Sequence, residues 1–114
     1  MQLNITSLLA VVALATTAAA DSMTVSEYWN NGISSRSGKF TTDFGTYDVN
    51  ANDGCRTTKV PGMVEFCVDV GKARGHFRYG GQNKRCMQRT SRKSGGCTIN
   101  QCFQEKWSEV KCSW

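Results

Sequence analysis

The first 54 residues of this 114-residue chain contain no cysteine; all six cysteines lie between Cys55 and Cys112. Histidine occurs once, at His76, and there is no C-x-x-C pair. The 11, 18, 10, 4 and 9 residues that separate successive cysteines match no zinc finger or ribbon. No metal site and no cofactor are therefore expected. G-x-S-x-G, H-E-x-x-H and a phosphate-cradling P-loop are also missing, which removes the signatures of the common hydrolases and nucleotide enzymes. Two further absences concern charge. No charged residue occurs from Leu3 to Ala20, and no acidic residue from Val70 to Gly96.

The uncharged N-terminal stretch holds an apolar run from Leu8 to Leu14 and ends in Ala18-Ala19-Ala20, small residues of the kind that signal peptidase accepts. Residues 1–20 are thus expected to be a signal peptide, although they lack the usual basic residues ahead of the apolar run. A membrane span needs about 20 apolar residues, and Thr16 and Thr17 dilute a run that is already short. No transmembrane segment is expected. The single N-x-[ST] site, Asn4-Ile5-Thr6, falls inside the leader, so the mature chain should carry no N-glycan.

Residues 21–114 then form one secreted domain, with a cysteine-free part at 21–54 and a disulfide core at 55–114. Export accounts for the cysteines, because disulfides persist where no reducing pool attacks them. A domain this small buries only about two-thirds of the surface its unfolded chain exposes, so its core is thin. Three bridges worth about 2–4 kcal/mol each would supply much of its stability. Spacing alone does not choose the pairs among Cys55, Cys67, Cys86, Cys97, Cys102 and Cys112.

Alternation and turn residues predict the elements. Val64, Phe66, Val68 and Val70 alternate with Glu65, Cys67 and Asp69, the pattern of a strand with one apolar face. Gly71 to Gly75 connects it to His76-Phe77-Arg78-Tyr79, a second strand that Gly80-Gly81 ends, making a hairpin. Phe40, Thr42 and Phe44 predict a strand ending at Gly45, preceded by a loop over Ser34 to Gly38. Near the start of the mature chain, Thr24 and Glu27 stand at capping-box spacing while Asn31-Gly32 is a hairpin signal, so a two-turn helix and a hairpin both fit. Ile99, Cys102, Phe103, Trp107 and Val110 fit a helical stripe, and Val110, Cys112 and Trp114 alternate. A short helix from Thr98 to Glu105 and a closing strand from Ser108 to Trp114 are expected, giving a small β-rich α+β domain stapled by disulfides. Trp29, Trp107 and Trp114 are expected to pack in the core or against the bridges.

Eight basic residues (Lys72, Arg74, Arg78, Lys84, Arg85, Arg89, Arg92 and Lys93) occupy the stretch without acids. The preceding mature segment sets four cations against seven carboxylates and the tail from Cys97 is neutral, so this block carries the net charge of +5. Together with His76 these residues are the expected binding patch for a polyanion, whether RNA, glycan or anionic lipid. If Phe77 and Tyr79 face the core, Arg74, His76 and Arg78 point together toward solvent, spaced by about 6.5–7 Å. Such a stripe favours phosphates without reading bases. The dibasic pairs Lys84-Arg85 and Arg92-Lys93 lie between cysteines, where folding would shield them from processing proteases.

His76 has Glu65, Arg74 and Arg78 near it in sequence, and a Glu, His and Arg set is what small secreted ribonucleases use, with an acid and a base about a phosphate that an arginine neutralises. It works only if the strand register brings Glu65 to His76. Glu65 and Asp69 stand about 13 Å apart along the strand, beyond the reach of a glycosidase pair. No catalytic residue is assigned, and a non-enzymatic protein is expected.

The Leu/Ala/Thr-rich leader ending Ala18-Ala19-Ala20, the mature chain of under 100 residues and the six cysteines resemble the small secreted cysteine-rich effectors of filamentous fungi. In length and cysteine count the chain is similar to the secreted-in-xylem effectors of Fusarium. The resemblance implies a virulence factor released into the host apoplast or xylem, able in some cases to enter host cells, and acting by binding a host protein or polyanion. It carries over no functional residue. A monomer is expected. A cationic antifungal or killer-type toxin and a ribonuclease-like toxin or RNA-binding protein remain as alternatives.

Overall fold

The computed structural model describes residues 20–97 and 101–114. Eight strands follow one another: β1 (Ser22–Asn30), β2 (Ile33–Thr42), β3 (Gly45–Asn50), β4 (Gly54–Arg56), β5 (Met63–Asp69), β6 (Arg74–Tyr79), β7 (Arg85–Ser94) and β8 (Gln101–Val110). Every pairing is antiparallel, in the order β3-β2-β1-β8-β7-β6-β5-β4. Each strand therefore lies beside its sequence neighbour except across β3 and β4, while β1 and β8 close the circuit. This is the order of an up-and-down barrel left open along one seam.

Side chains sew the seam where no ladder does. Arg56 donates to the carbonyls of Asn50 (3.1 Å), Asn52 (2.6 Å) and Asp53 (3.0 Å), all in or beside the β3–β4 connection. Asp53 in turn accepts the Val70 amide at 2.8 Å. The wall is thereby drawn round until Phe40 on β2 meets Phe66 on β5 and Phe77 on β6 edge to face, at 5.9 and 5.0 Å. With Met23, Val25, Val49, Val68, Met87 and Trp107 these rings fill the middle of the barrel. Each such large apolar side chain contributes about 1.5–3 kcal/mol by leaving water. Gly75 lets β5 and β7 approach β6 here, since a Cβ on it would stand 2.5 Å from the Cys67 carbonyl oxygen.

Three disulfides staple the wall: Cys55–Cys67 across β4 and β5, Cys86–Cys112 between β7 and the tail, and Cys97–Cys102 at the β7–β8 turn. The domain is β-rich and disulfide-stapled as expected, but there is no helix among the described residues, so the α+β expectation is corrected to all-β. Asn31 and Gly32 both adopt positive φ (54° and 79°), the need of a tight hairpin turn, and β1 and β2 form that hairpin. Ser34 to Gly38 belongs to β2 and is no loop. Phe44 sits in the β2–β3 turn, beyond the strand expected to contain it, and is 91% exposed.

Residues 101–105 of the expected C-terminal helix lie in β8, and Thr98 to Asn100 fall outside the described residues. The closing strand ends at Val110, short of the expected Trp114. A bulge between Met63 and Glu65 also breaks the expected apolar face of β5: Val64 turns outward while Met63, Phe66 and Val68 turn in.

Candidate functional site

The barrel sorts the basic residues by the parity of their strand positions. On β6, Gly75, Phe77 and Tyr79 face inward, which leaves Arg74, His76 and Arg78 on the outer wall. Lys72 is exposed in the β5–β6 turn, and Lys93 is exposed on β7. Lys84 reaches the main-chain oxygen of Trp114. The tail lies against β6, where the Arg74 guanidinium sits 5.0 Å from the centre of the Trp114 ring. None of Lys72, Arg74, Arg78, Lys84 and Lys93 forms a side-chain ion pair among the described residues.

Arg85, Arg89 and Arg92 are placed differently, because they share the inner face of β7 with Met87. At the far end of the barrel Arg36, on β2, is 3% exposed and lies between Glu27 (2.8 Å) and Glu105 (2.7 Å). Arg92 bridges the same two carboxylates, bonding Glu27 at 2.6 Å and contacting Glu105, and Arg89 stands 3.5 Å from Glu105. The indoles of Trp29 and Trp107 donate to Glu27 and Glu105 at 2.8 and 2.9 Å. Burial alone would raise the Glu105 pKa, but the Arg36 and Trp107 hydrogen bonds and the Arg36 charge overcome it and hold Glu105 at about 2. Glu27 is lowered too, burial again being outweighed by hydrogen bonds from Arg92 and Arg36.

At the mouth, Arg85 bonds both oxygens of Glu109 (2.7 and 2.6 Å) and lies 3.4 Å from Asp21. Asp21 is 6% exposed and accepts a hydrogen bond from the Tyr79 hydroxyl at 2.8 Å. Burial raises its pKa in spite of Tyr79 and Arg85. Burial, and then the bond to Asp21, push the Tyr79 phenol well above its ordinary value. Beside this cluster opens a cavity of about 510 Å³, walled by Phe44, Tyr47, Val60 and Pro61 and edged by Asp43 and Gln82. Barrel mouths of this kind, apolar with a few convergent polar groups, are where small ligands bind.

On the outer wall the register brings Glu65 opposite Arg78 and sets its carboxylate 3.5 Å from His76 Nε2. Glu65, His76 and the Cys67 sulfur lie within 4.8 Å of one another. That sulfur is bonded to Cys55 and is not a thiolate, which takes away the ligand a soft metal would want. Among the described residues the trio is therefore a histidine–carboxylate contact beside a disulfide. The interior network and the mouth went unread in the sequence; one signal was there, the period-two run Met23, Val25, Glu27, which places a carboxylate on an apolar strand face. No family model, no curated protein and no solved structure matches the chain.

Proposed function

We propose that the chain is a secreted, non-catalytic binding protein of the fungal effector type, which docks on an anionic host component through the outer wall of β6 and its flanking turns. The observation that carries this reading is how the charge divides. Inside, Arg36, Arg85, Arg89 and Arg92 meet Asp21, Glu27, Glu105 and Glu109, four of each sign. The net charge of +5 thus belongs wholly to the residues outside this network. In the acid-free stretch that remainder is Lys72, Arg74, Arg78, Lys84 and Lys93, with His76 among them. Phe77 and Tyr79 are turned inward and offer no stacking platform, so the wall suits a phosphate or sulfate array and not a base sequence.

Binding to heparin, to a homopolymeric RNA and to phosphatidylserine vesicles, each over a range of salt, tests the reading. Four engaged cations would give a log–log salt slope of about −3 on single-stranded RNA. Arg74→Glu with Arg78→Glu should roughly halve that slope. No binding to any of the three, or binding that ignores salt, overturns the proposal.

The contact between Glu65 and His76 favours a second reading, ribonuclease-like cleavage, since Arg78 stands across from the carboxylate. General acid–base cleavage, however, needs groups on opposite sides of the phosphate, and these two grip each other. RNA cleavage that disappears in His76→Ala would establish catalysis; equal trace cleavage by both proteins would indicate contamination.

A further inference from the structure

We infer that cleavage after Ala20 completes the fold as well as releasing the chain: the α-ammonium created on Asp21 docks on the Glu109 carboxylate and supplies the positive charge that the mouth of the barrel lacks. The inference rests on the reading of residues 1–20 as a cleaved leader. Hydrolysis of the Ala20–Asp21 peptide consumes one water, leaving a carboxylate on Ala20 and an ammonium on Asp21.

The geometry already holds that nitrogen in place. Asp21 N donates to Glu109 Oε1 at 2.8 Å, and the Glu109 amide returns a bond to the Asp21 carbonyl at 3.1 Å. With the peptide intact, this is a neutral amide facing a carboxylate. That bond is already charge-assisted through its acceptor; after cleavage the donor is charged as well, and the contact gains the Coulomb attraction of an ion pair.

Charge balance gives the independent reason. The far end sets Arg36, Arg89 and Arg92 against Glu27 and Glu105, so cations are in excess there. The mouth sets Arg85 alone against Asp21 and Glu109, with the Asp43 carboxylate close enough to act on Asp21. One ammonium sets two cations against Asp21 and Glu109, where a nearly buried carboxylate would otherwise be under-compensated.

The groups that face the new ammonium are Glu109 from β8, Arg85 from β7, Tyr79 from β6, the Asp21 carboxylate itself and Asp43 from the β2–β3 turn. Carboxylates outnumber the guanidinium, so the ammonium should titrate above its ordinary value of about 8. A base whose folded pKa is raised contributes stability that is complete below the unfolded value and lost as pH rises through the folded one.

The test compares a chain beginning at Asp21 with one that retains Ala19-Ala20, which keeps the amide hydrogen bond and moves the ammonium away. Between pH 5 and 7 the Asp21 chain should unfold with an equilibrium constant roughly 5–30-fold smaller, and the gap should close as pH rises past the amine titration. In Glu109→Gln the two chains should unfold alike, and this pair is compared only with itself because the variant also releases Arg85. Equal stability of the two wild-type chains at every pH would overturn the docking while leaving the leader reading intact. N-terminal sequencing of the protein secreted by its producing cell separates the two: a first residue other than Asp21 would overturn the inference through its premise.

Discussion

The two ends of the barrel solve one problem with different means. At the far end, two carboxylates that would be costly in an apolar interior are held by three arginines and two indoles, and Glu105 stays ionised down to about pH 2. At the mouth, Arg85 serves two carboxylates with one phenol to help, and burial pushes Asp21 toward its neutral form. The far end is closed by its own side chains. The mouth is left with one guanidinium for two carboxylates and open to a cavity.

The comparison breaks most readily at Arg36. Arg36→Ala leaves Glu27 and Glu105 with Arg92 and Arg89, which reach in from the rim, and removing one partner of a buried pair costs about 3–5 kcal/mol. Denaturant unfolding should show a loss of that size, enough to unfold a marginal domain. A loss of under 1 kcal/mol would mean that the rim arginines suffice and that the far end is no better satisfied than the mouth.

The disulfides sharpen it next, since one staples each end. Cys86–Cys112 at the mouth closes 26 residues and Cys97–Cys102 at the far end closes 5. Loop entropy then assigns about 3.5 kcal/mol to the first and about 2 to the second. Cys86→Ser with Cys112→Ser should accordingly lower the denaturation midpoint more than Cys97→Ser with Cys102→Ser. The reverse order would show that native contacts at the turn, and not chain entropy, set the value of the bridges.

Between the two ends, Gly75→Ala probes the packed middle. Its new Cβ would meet the Cys67 carbonyl oxygen at 2.5 Å and the Met87 methyl at 2.8 Å, and the backbone atom cannot swing away. Overpacking of this kind costs about 1–3 kcal/mol. An unchanged midpoint would mean that the β5–β6 spacing relaxes freely.

The outer wall was legible in the sequence because it obeys simple alternation: Phe77 and Tyr79 inward, Arg74, His76 and Arg78 outward. β5 was legible for the same reason up to its bulge. The rest was obscured by charged residues at inner positions. The inward residues of β2 include Arg36 and Gly38, those of β7 include Arg85, Arg89 and Arg92, and β8 interleaves Glu105 and Glu109 with Phe103 and Trp107. An apolar/polar pattern cannot register a buried ion pair whose partner lies 69 residues away, as Arg36 and Glu105 do. That pattern therefore predicts a loop over Ser34 to Gly38 of β2, groups the arginines of β7 with the solvent-facing ones, and predicts a helix over Thr98 to Glu105, of which 101–105 lie in β8. The mouth eluded sequence reading for a related reason, since Asp21, Tyr79, Arg85 and Glu109 meet only because β1 closes the circuit on β8.

The smallest expected effects come from pH, where Asp21 at the mouth should move in the opposite sense to Glu27 and Glu105 at the far end and to its own neighbour Glu109, whose pKa the Arg85 and Asp21 amide hydrogen bonds lower against burial. Glu105 and Glu27 have lowered folded pKa values, so their contribution is present above about 4.5 and is lost as pH falls toward 2. Asp21 is raised, so the folded state takes up its proton first and gains relative stability as pH falls from the folded value toward 3.8. In a chain extended upstream of Asp21, where no ammonium offsets that carboxylate, Asp21→Asn should steepen the acid limb of the stability curve, because the one opposing titration is gone. Glu105→Gln should flatten the same limb, whatever its cost at neutral pH. If both substitutions flatten it, Asp21 behaves as a paired carboxylate even without the ammonium, the mouth is already compensated by Arg85 and Tyr79, and the contrast between the two ends fails.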